Sequence, residues 1–128
     1  MIDALGLIRA HLMTNAALAA LVGERIYGGR DVPPVGYKPG DGPCITFKIR
    51  GGGADYDDAL LLPSVQFECY DLSEQKANNA YEALYEALHN STGANVLYGL
   101  VDVLGQTLEE PATGWYFVLS YFTIMLRQ

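Results

Sequence analysis

The stretch "SVQFECYDLSEQKANNAYEALYEALHN", residues 64–90, changes its period once, and that change decides the fold class. Over its first part Val65, Phe67 and Cys69 alternate with Gln66, Glu68 and Tyr70, the period of two that sends one set inward and the other outward on a strand. After Asp71 the apolar residues recur every three or four positions: Ala77, Ala80 or Tyr81, Leu84 and Leu88 form one stripe, and Ser73 stands where a helix cap belongs. A half-buried strand running directly into an amphipathic helix predicts a sheet with helices packed on it.

Working outward, "CITFKIR" (44–50) repeats the alternation, with Ile45, Phe47 and Ile49 on one face and Thr46, Lys48 and Arg50 on the other. The two strands read as an antiparallel pair joined through "GGGADYDDA" (51–59), so residues 51–62 form an acidic hairpin tip. "GWYFVLSYFTIMLR" (114–127) is apolar on both faces: Trp115, Phe117, Leu119 and Tyr121 on one, Tyr116, Val118, Phe122, Ile124 and Leu126 on the other. That predicts a central strand, covered by helices on one side and open to a second protomer's sheet on the other. "VLYGLVDVLGQTLEEP" (96–111) reads as a strand bent or interrupted at Gly99 or Gly105.

Towards the N-terminus, Ile2, Leu5, Ile8 and Leu12 predict a helix over 2–13, and a second helical turn or two lies between the cap Asn15 and the stop Gly23. "ERIYGG" (24–29) is a brief strand candidate. The sum is a single α/β (α+β) domain over 1–128, a mainly antiparallel sheet flanked by helices, with long loops. One loop stands out. Nine of the sixteen residues from Gly28 to Pro43 are Gly or Pro, which excludes helix and central strand. A loop of that length is expected to be a contact arm, the alternatives being a mobile connection or an active-site lid.

Composition narrows the function classes. Half the residues are apolar and 18% charged, so the chain is far from disordered and carries more apolar residue than one small core needs. The net charge of −7 comes with eight scattered bases, which argues against ordinary nucleic-acid binding. Cys44 and Cys69 lie in apolar stretches without zinc spacing and are expected as reduced, packed thiols. The N-terminus lacks the basic-then-apolar layout of a secretory signal, and no apolar run approaches bilayer length, so no membrane partner is expected.

The chemistry-bearing patterns fail on spacing. The triglycine lacks the Lys-Ser/Thr of a phosphate loop, and Tyr56 stands where a dinucleotide fingerprint needs its third Gly. A calcium loop starting at Asp55 has Asp57 in its third place but Leu60 and Gln66 in its sixth and twelfth. His11 and His89 lie near helix ends without a partnered nucleophile, and no Ser sits in a nucleophile elbow. Glu109 and Glu110 are adjacent on a strand and point apart. No metal, cofactor or enzymatic activity is expected.

A chain without catalytic residues, with a two-sided apolar strand and long loops, suggests an assembly part. In order, "NAALAALVGERIY", "PCITFKI", "VQFECYD" before a helix, and "PATGWYFVLSYFTI" resemble the tail-completion, or tail-terminator, proteins of long-tailed bacteriophages, prophages and gene-transfer particles. The resemblance runs over almost the whole chain and rests on order and spacing. It implies a sixfold ring of this protein, made in the host cytoplasm and placed at the tail neck of the virion. That ring would stop growth of the tail-tube protein, offer a docking surface to the head connector or stopper, and let DNA pass its lumen without specific binding. Head-to-tail joining or a minor tail role is the neighbouring alternative, and a soluble small-ligand-binding domain the alternative of another class. The interface candidates are Tyr37 and Lys38 on the arm, then Gly51, Gly52, Gly53, Asp55, Tyr56, Asp57 and Asp58 on the tip, and Tyr116 and Phe122 on the last strand. The aspartates are expected either to keep the tip soluble or to repel DNA.

Overall fold

The computed structural model describes residues 3–54, 60–89, 91–93 and 96–127. The elements run α1 (Ala4–Met13), α2 (Ala16–Val22), β1 (Ile26–Gly28), a 3-10 turn (Pro39–Asp41), β2 (Cys44–Ala54), β3 (Leu60–Asp71), α3 (Glu74–Leu88), β4 (Val96–Glu109) and β5 (Tyr116–Arg127). The strands form one sheet in the order β1-β2-β3-β5-β4. Among the described strands β1 pairs with β2 in parallel and the other pairs are antiparallel, giving the expected α+β class.

Local chemistry sets the helix boundaries. Asp3 accepts the Gly6 N–H at 3.0 Å and caps α1, whose expected first residue, Ile2, lies outside the described residues, while Asn15 and Ser73 cap α2 and α3 as expected. The inward residues of the strands meet these helices in one core. Ile45, Phe47, Val65, Cys69, Val118, Ile124 and Leu126 are all buried there beneath α3, together with Ile8, Leu12, Leu18 and Val22 of the first two helices. At the centre Phe67 lies between Phe47, stacked on it at 5.5 Å, and Phe122, edge-on at 5.5 Å. Both thiols are free and buried.

β5 lies between β3 and β4 in the sheet interior, consistent with its double apolar pattern. Its helix-side residues from Val118 to Leu126 are buried, and the alternate set is only half buried. β4 is an edge strand that departs from regular pairing three times, between Val96 and Tyr98, Val101 and Val103, and Val103 and Gln106. Gly105 falls in the last break, whereas Gly99 is paired with Ile124 beside the first. The bulges curl β4 towards α3, where Tyr81 Oη accepts the Gly105 N–H at 2.9 Å and His89 Nδ1 accepts the Val101 N–H at 3.1 Å. Side chains of one helix thereby occupy part of an edge that another strand would otherwise pair with.

The β2–β3 hairpin carries its own irregularity. Pairing shifts between Ile49 and Gly52, and Gly52 then faces Pro63, which has no N–H to give in an interior strand. Gly52 has φ +120°, and a Cβ there would overlap the Leu62 carbonyl oxygen. Gly52→Ala is therefore expected to cost roughly 1–2 kcal/mol and to loosen this pairing. Faster amide exchange at Leu61, Leu62 and Ser64, with α3 unchanged, is the expected readout; exchange identical to wild type would remove this role for the glycine.

Candidate assembly surfaces

Residues 29–43 leave β1 and return to β2 across the sheet face opposite the helices. Tyr37 holds them down: it is buried, its hydroxyl donates to the Gly42 carbonyl at 2.7 Å, and its ring meets Trp115 edge-on at 5.4 Å. Beneath lie Cys44 and Tyr70, bordered by Tyr27 and Phe117. Arg25 pins the return by donating from Nε to the Pro43 carbonyl at 3.0 Å. The second face, expected to await another protomer, is thus covered at one end by the chain's own arm. Thr46, Glu68 and Tyr70 do point away from the helices, as the alternation requires, yet are buried under that arm.

A short proton count governs this cover. Glu68 is 6% exposed, its Oε1 accepts from Gln66 at 2.6 Å, and its Oε2 lies 2.7 Å from the Tyr70 hydroxyl. The same hydroxyl lies 2.9 Å from the Asp31 carbonyl oxygen on the arm. One tyrosine proton cannot serve two acceptors fully. As placed, Tyr70 donates to Glu68 Oε2, and a proton on Glu68 would reverse that bond and free the tyrosine proton for the Asp31 carbonyl. Burial pushes the Glu68 carboxyl above its ordinary range, outweighing the opposite pull of the Tyr70 and Gln66 hydrogen bonds and of Lys48, while the Asp31 charge adds to the rise. The Asp31 carboxylate itself is held below its ordinary value chiefly by the Lys48 ammonium, 2.8 Å away.

The outer side of the arm is a turn. The Tyr37 N–H donates to the Pro34 carbonyl at 3.1 Å, and Gly36 between them has φ +96°, the positive value a type II turn needs there. With Tyr37 anchored beneath, Val35 stands fully exposed at the tip, Val32 is half exposed before the two prolines, and Arg30 and Lys38 flank them. Across the molecule, on the helix side, a groove of about 740 Å³ runs between α2, α3 and β4. Its apolar lining includes Ala17, Leu21, Ala83 and Leu104, and Glu82 and Glu86 stand on its acidic side. Leu104 is 66% exposed.

The sequence candidates are therefore dispersed. Lys38 is exposed beside the turn, but the Tyr37 ring is enclosed by its own protomer. Phe122 must be reassigned from interface to core, because it is fully buried against Phe67 and Tyr85. Tyr116 is half buried near Glu109, whose charge raises the phenol's pKa. Gly51, Gly52 and Gly53 lie in the β2 arm of the hairpin, and Asp55, Tyr56, Asp57 and Asp58 lie outside the described residues. Val32, Val35 and the groove were missed because exposed aliphatic residues leave no periodic signature. The double apolar pattern of β5 was the available sign that something covers the second face.

Groups with chemical potential are engaged structurally. The Cys44 thiol is pushed up to about 12 and Cys69 higher still, both chiefly by burial, so neither supplies thiolate at neutral pH. His11 Nε2 lies 2.8 Å from the Ser91 hydroxyl, which donates to the Leu88 carbonyl, and burial lowers the imidazole's pKa. Among the described residues no three of His, Cys, Asp and Glu are grouped to hold a metal ion, and no single helix is long and apolar enough to cross a membrane.

No family model and no curated protein sequence matches this chain. Solved structures do. A chain from the virion of a native gene transfer agent (GTA) particle shares the fold with a TM-score of 0.65 at 14% identity, over 99% of this chain and 100% of that one.

Proposed function

We propose that this chain is a structural virion subunit of tail-terminator type, which forms a ring on the head-proximal end of a phage-like tail tube. There it stops tube growth and presents the surface on which the head connector docks. The observation that carries this reading is the fold match with a chain of a gene transfer agent virion, which runs over 99% of this chain and 100% of that one. The order of motifs along the sequence supports the tail-terminator assignment within that class. A ring also gives the chain's apolar surplus a use, because closure needs two unlike patches on each protomer. The aspartates of the hairpin tip would keep it solvated or repel passing DNA.

Deleting the gene should leave tails of irregular, extended length without heads, and adding the purified protein to such a lysate before tubes overgrow should restore length and head joining. Electron microscopy reads both. Tails of normal length that still join heads in the deletion would overturn the proposal.

A further inference from the structure

We propose that the Val35 turn of one copy seats in the α2–α3–β4 groove of a second copy, joining protomers head to tail. The inference deepens the ring reading and rests on it for the premise that the chain meets copies of itself.

Single exposed aliphatic residues need no explanation, but here the exposed residues come in two complementary sets. One is convex: Val35 and Val32 on a turn fixed by two prolines, the Gly36 conformation and the buried Tyr37 ring. Such a turn is already ordered, so docking costs little conformational entropy. The other is concave: Ala17, Leu21 and Leu104 in the groove. Charge matches shape. Arg30 and Lys38, two of only eight bases in a chain of net charge −7, flank the turn, while Glu82 and Glu86 stand beside the groove. Of the acids beside the turn, Asp31 is paired with Lys48, while Asp41 and Glu110 border the hollows next to Val35, Asp41 together with Arg25. The Val35 turn is held by Tyr37 over the face away from the helices and the groove opens on the helix side; of the arm, the return at residues 39–43 comes up to the Leu21 and Asn79 end of the groove. Each docking leaves a free turn at one end and a free groove at the other, a heterologous contact that builds a closed ring or an open chain.

Cysteine trapping tests this even where association is weak. Val35→Cys and Leu104→Cys replace exposed residues, and the native thiols are buried. Under mild oxidation the double variant should give an intermolecular ladder. The two single variants, mixed, should give one heterodimer band, because each retains only one usable half. Leu72→Cys, exposed elsewhere, replaces Val35→Cys in the control pair, which should cross-link at least about tenfold more slowly. Glu82→Lys with Glu86→Lys should slow the 35–104 bond, and Arg30→Glu with Lys38→Glu on the opposing copy should restore it. Cross-linking no faster than the Leu72 control, or failure of the reversed charges to restore it, overturns the docking whatever the tail phenotype. A specific 35–104 ladder from a protein whose deletion leaves tails normal would keep the docking and discard the tail-terminator reading.

Discussion

Phe67→Ala should lower the stability of the protomer by about 3–5 kcal/mol, the loss expected when a large ring is removed from a site that cannot collapse. Phe67 is fully buried on an interior strand, with Phe47 stacked on one side and Phe122 edge-on at the other. Those neighbours belong to two different strands whose registers are fixed by the ladders on either side of β3, so neither can move in to fill the void. A domain of this size is typically stable by only about 5–15 kcal/mol, so the variant should be largely unfolded at modest urea concentrations. Phe67→Leu, which retains most of the volume, should lose distinctly less. Urea denaturation of the three proteins checks this, and a loss below about 1.5 kcal/mol for the alanine variant would show that the ring cluster is not the centre of the core.

The second large effect concerns the arm. Tyr70→Phe removes the hydroxyl that joins Glu68 to the Asp31 carbonyl and leaves a buried carboxyl short of a partner, at an expected cost of about 2–3 kcal/mol. The pH dependence follows from Glu68, whose folded-state pKa is raised above the ordinary value of 4.5. A raised value means that the folded state binds the proton more tightly than the unfolded state. The contribution is therefore fully present below pH 4.5 and is lost as pH rises through the higher folded-state value. Glu68→Gln, which donates to Tyr70 at every pH, should remove that dependence. His11 acts in the opposite direction: its lowered pKa makes its contribution fully present above 6.5 and lost as pH falls through the folded-state value, and it is common to wild type and Glu68→Gln. The difference between those two proteins, measured by denaturation across pH, isolates Glu68. A difference that stays constant with pH would sink the proton count. Exchange of the arm amides, faster in wild type than in Glu68→Gln on the alkaline side, would place the effect on the cover rather than on the helix-side core.

The alternations over 44–50 and 64–71, and the stripe from Ala77 to Leu88, identified two strands, a helix and their inward faces, because period is a property of neighbouring residues and side-chain direction follows from it. The two apolar faces of residues 115–126 likewise marked an interior strand. The same local information sorted the failed phosphate, dinucleotide and calcium motifs, whose requirements are themselves spacings. By contrast, of the interface candidates Phe122 fills the helix-side core and Tyr37 anchors the arm within its own protomer. Alternation assigned Glu68 and Tyr70 to the face away from the helices correctly, but could not say that the face is covered.

What the sequence by itself determined is the set of elements, their amphipathic faces and the exclusion of several ligand motifs by spacing. Only the tertiary structure decided the strand order β1-β2-β3-β5-β4, the burial of Glu68 against Tyr70 and the separation of the Val35 turn from the Leu104 groove. The reason is physical. A Gly/Pro-rich connection has no period and few local preferences, so its path is set by the distant surface that accepts Tyr37 and by the Tyr70 hydroxyl that meets the Asp31 carbonyl beneath it.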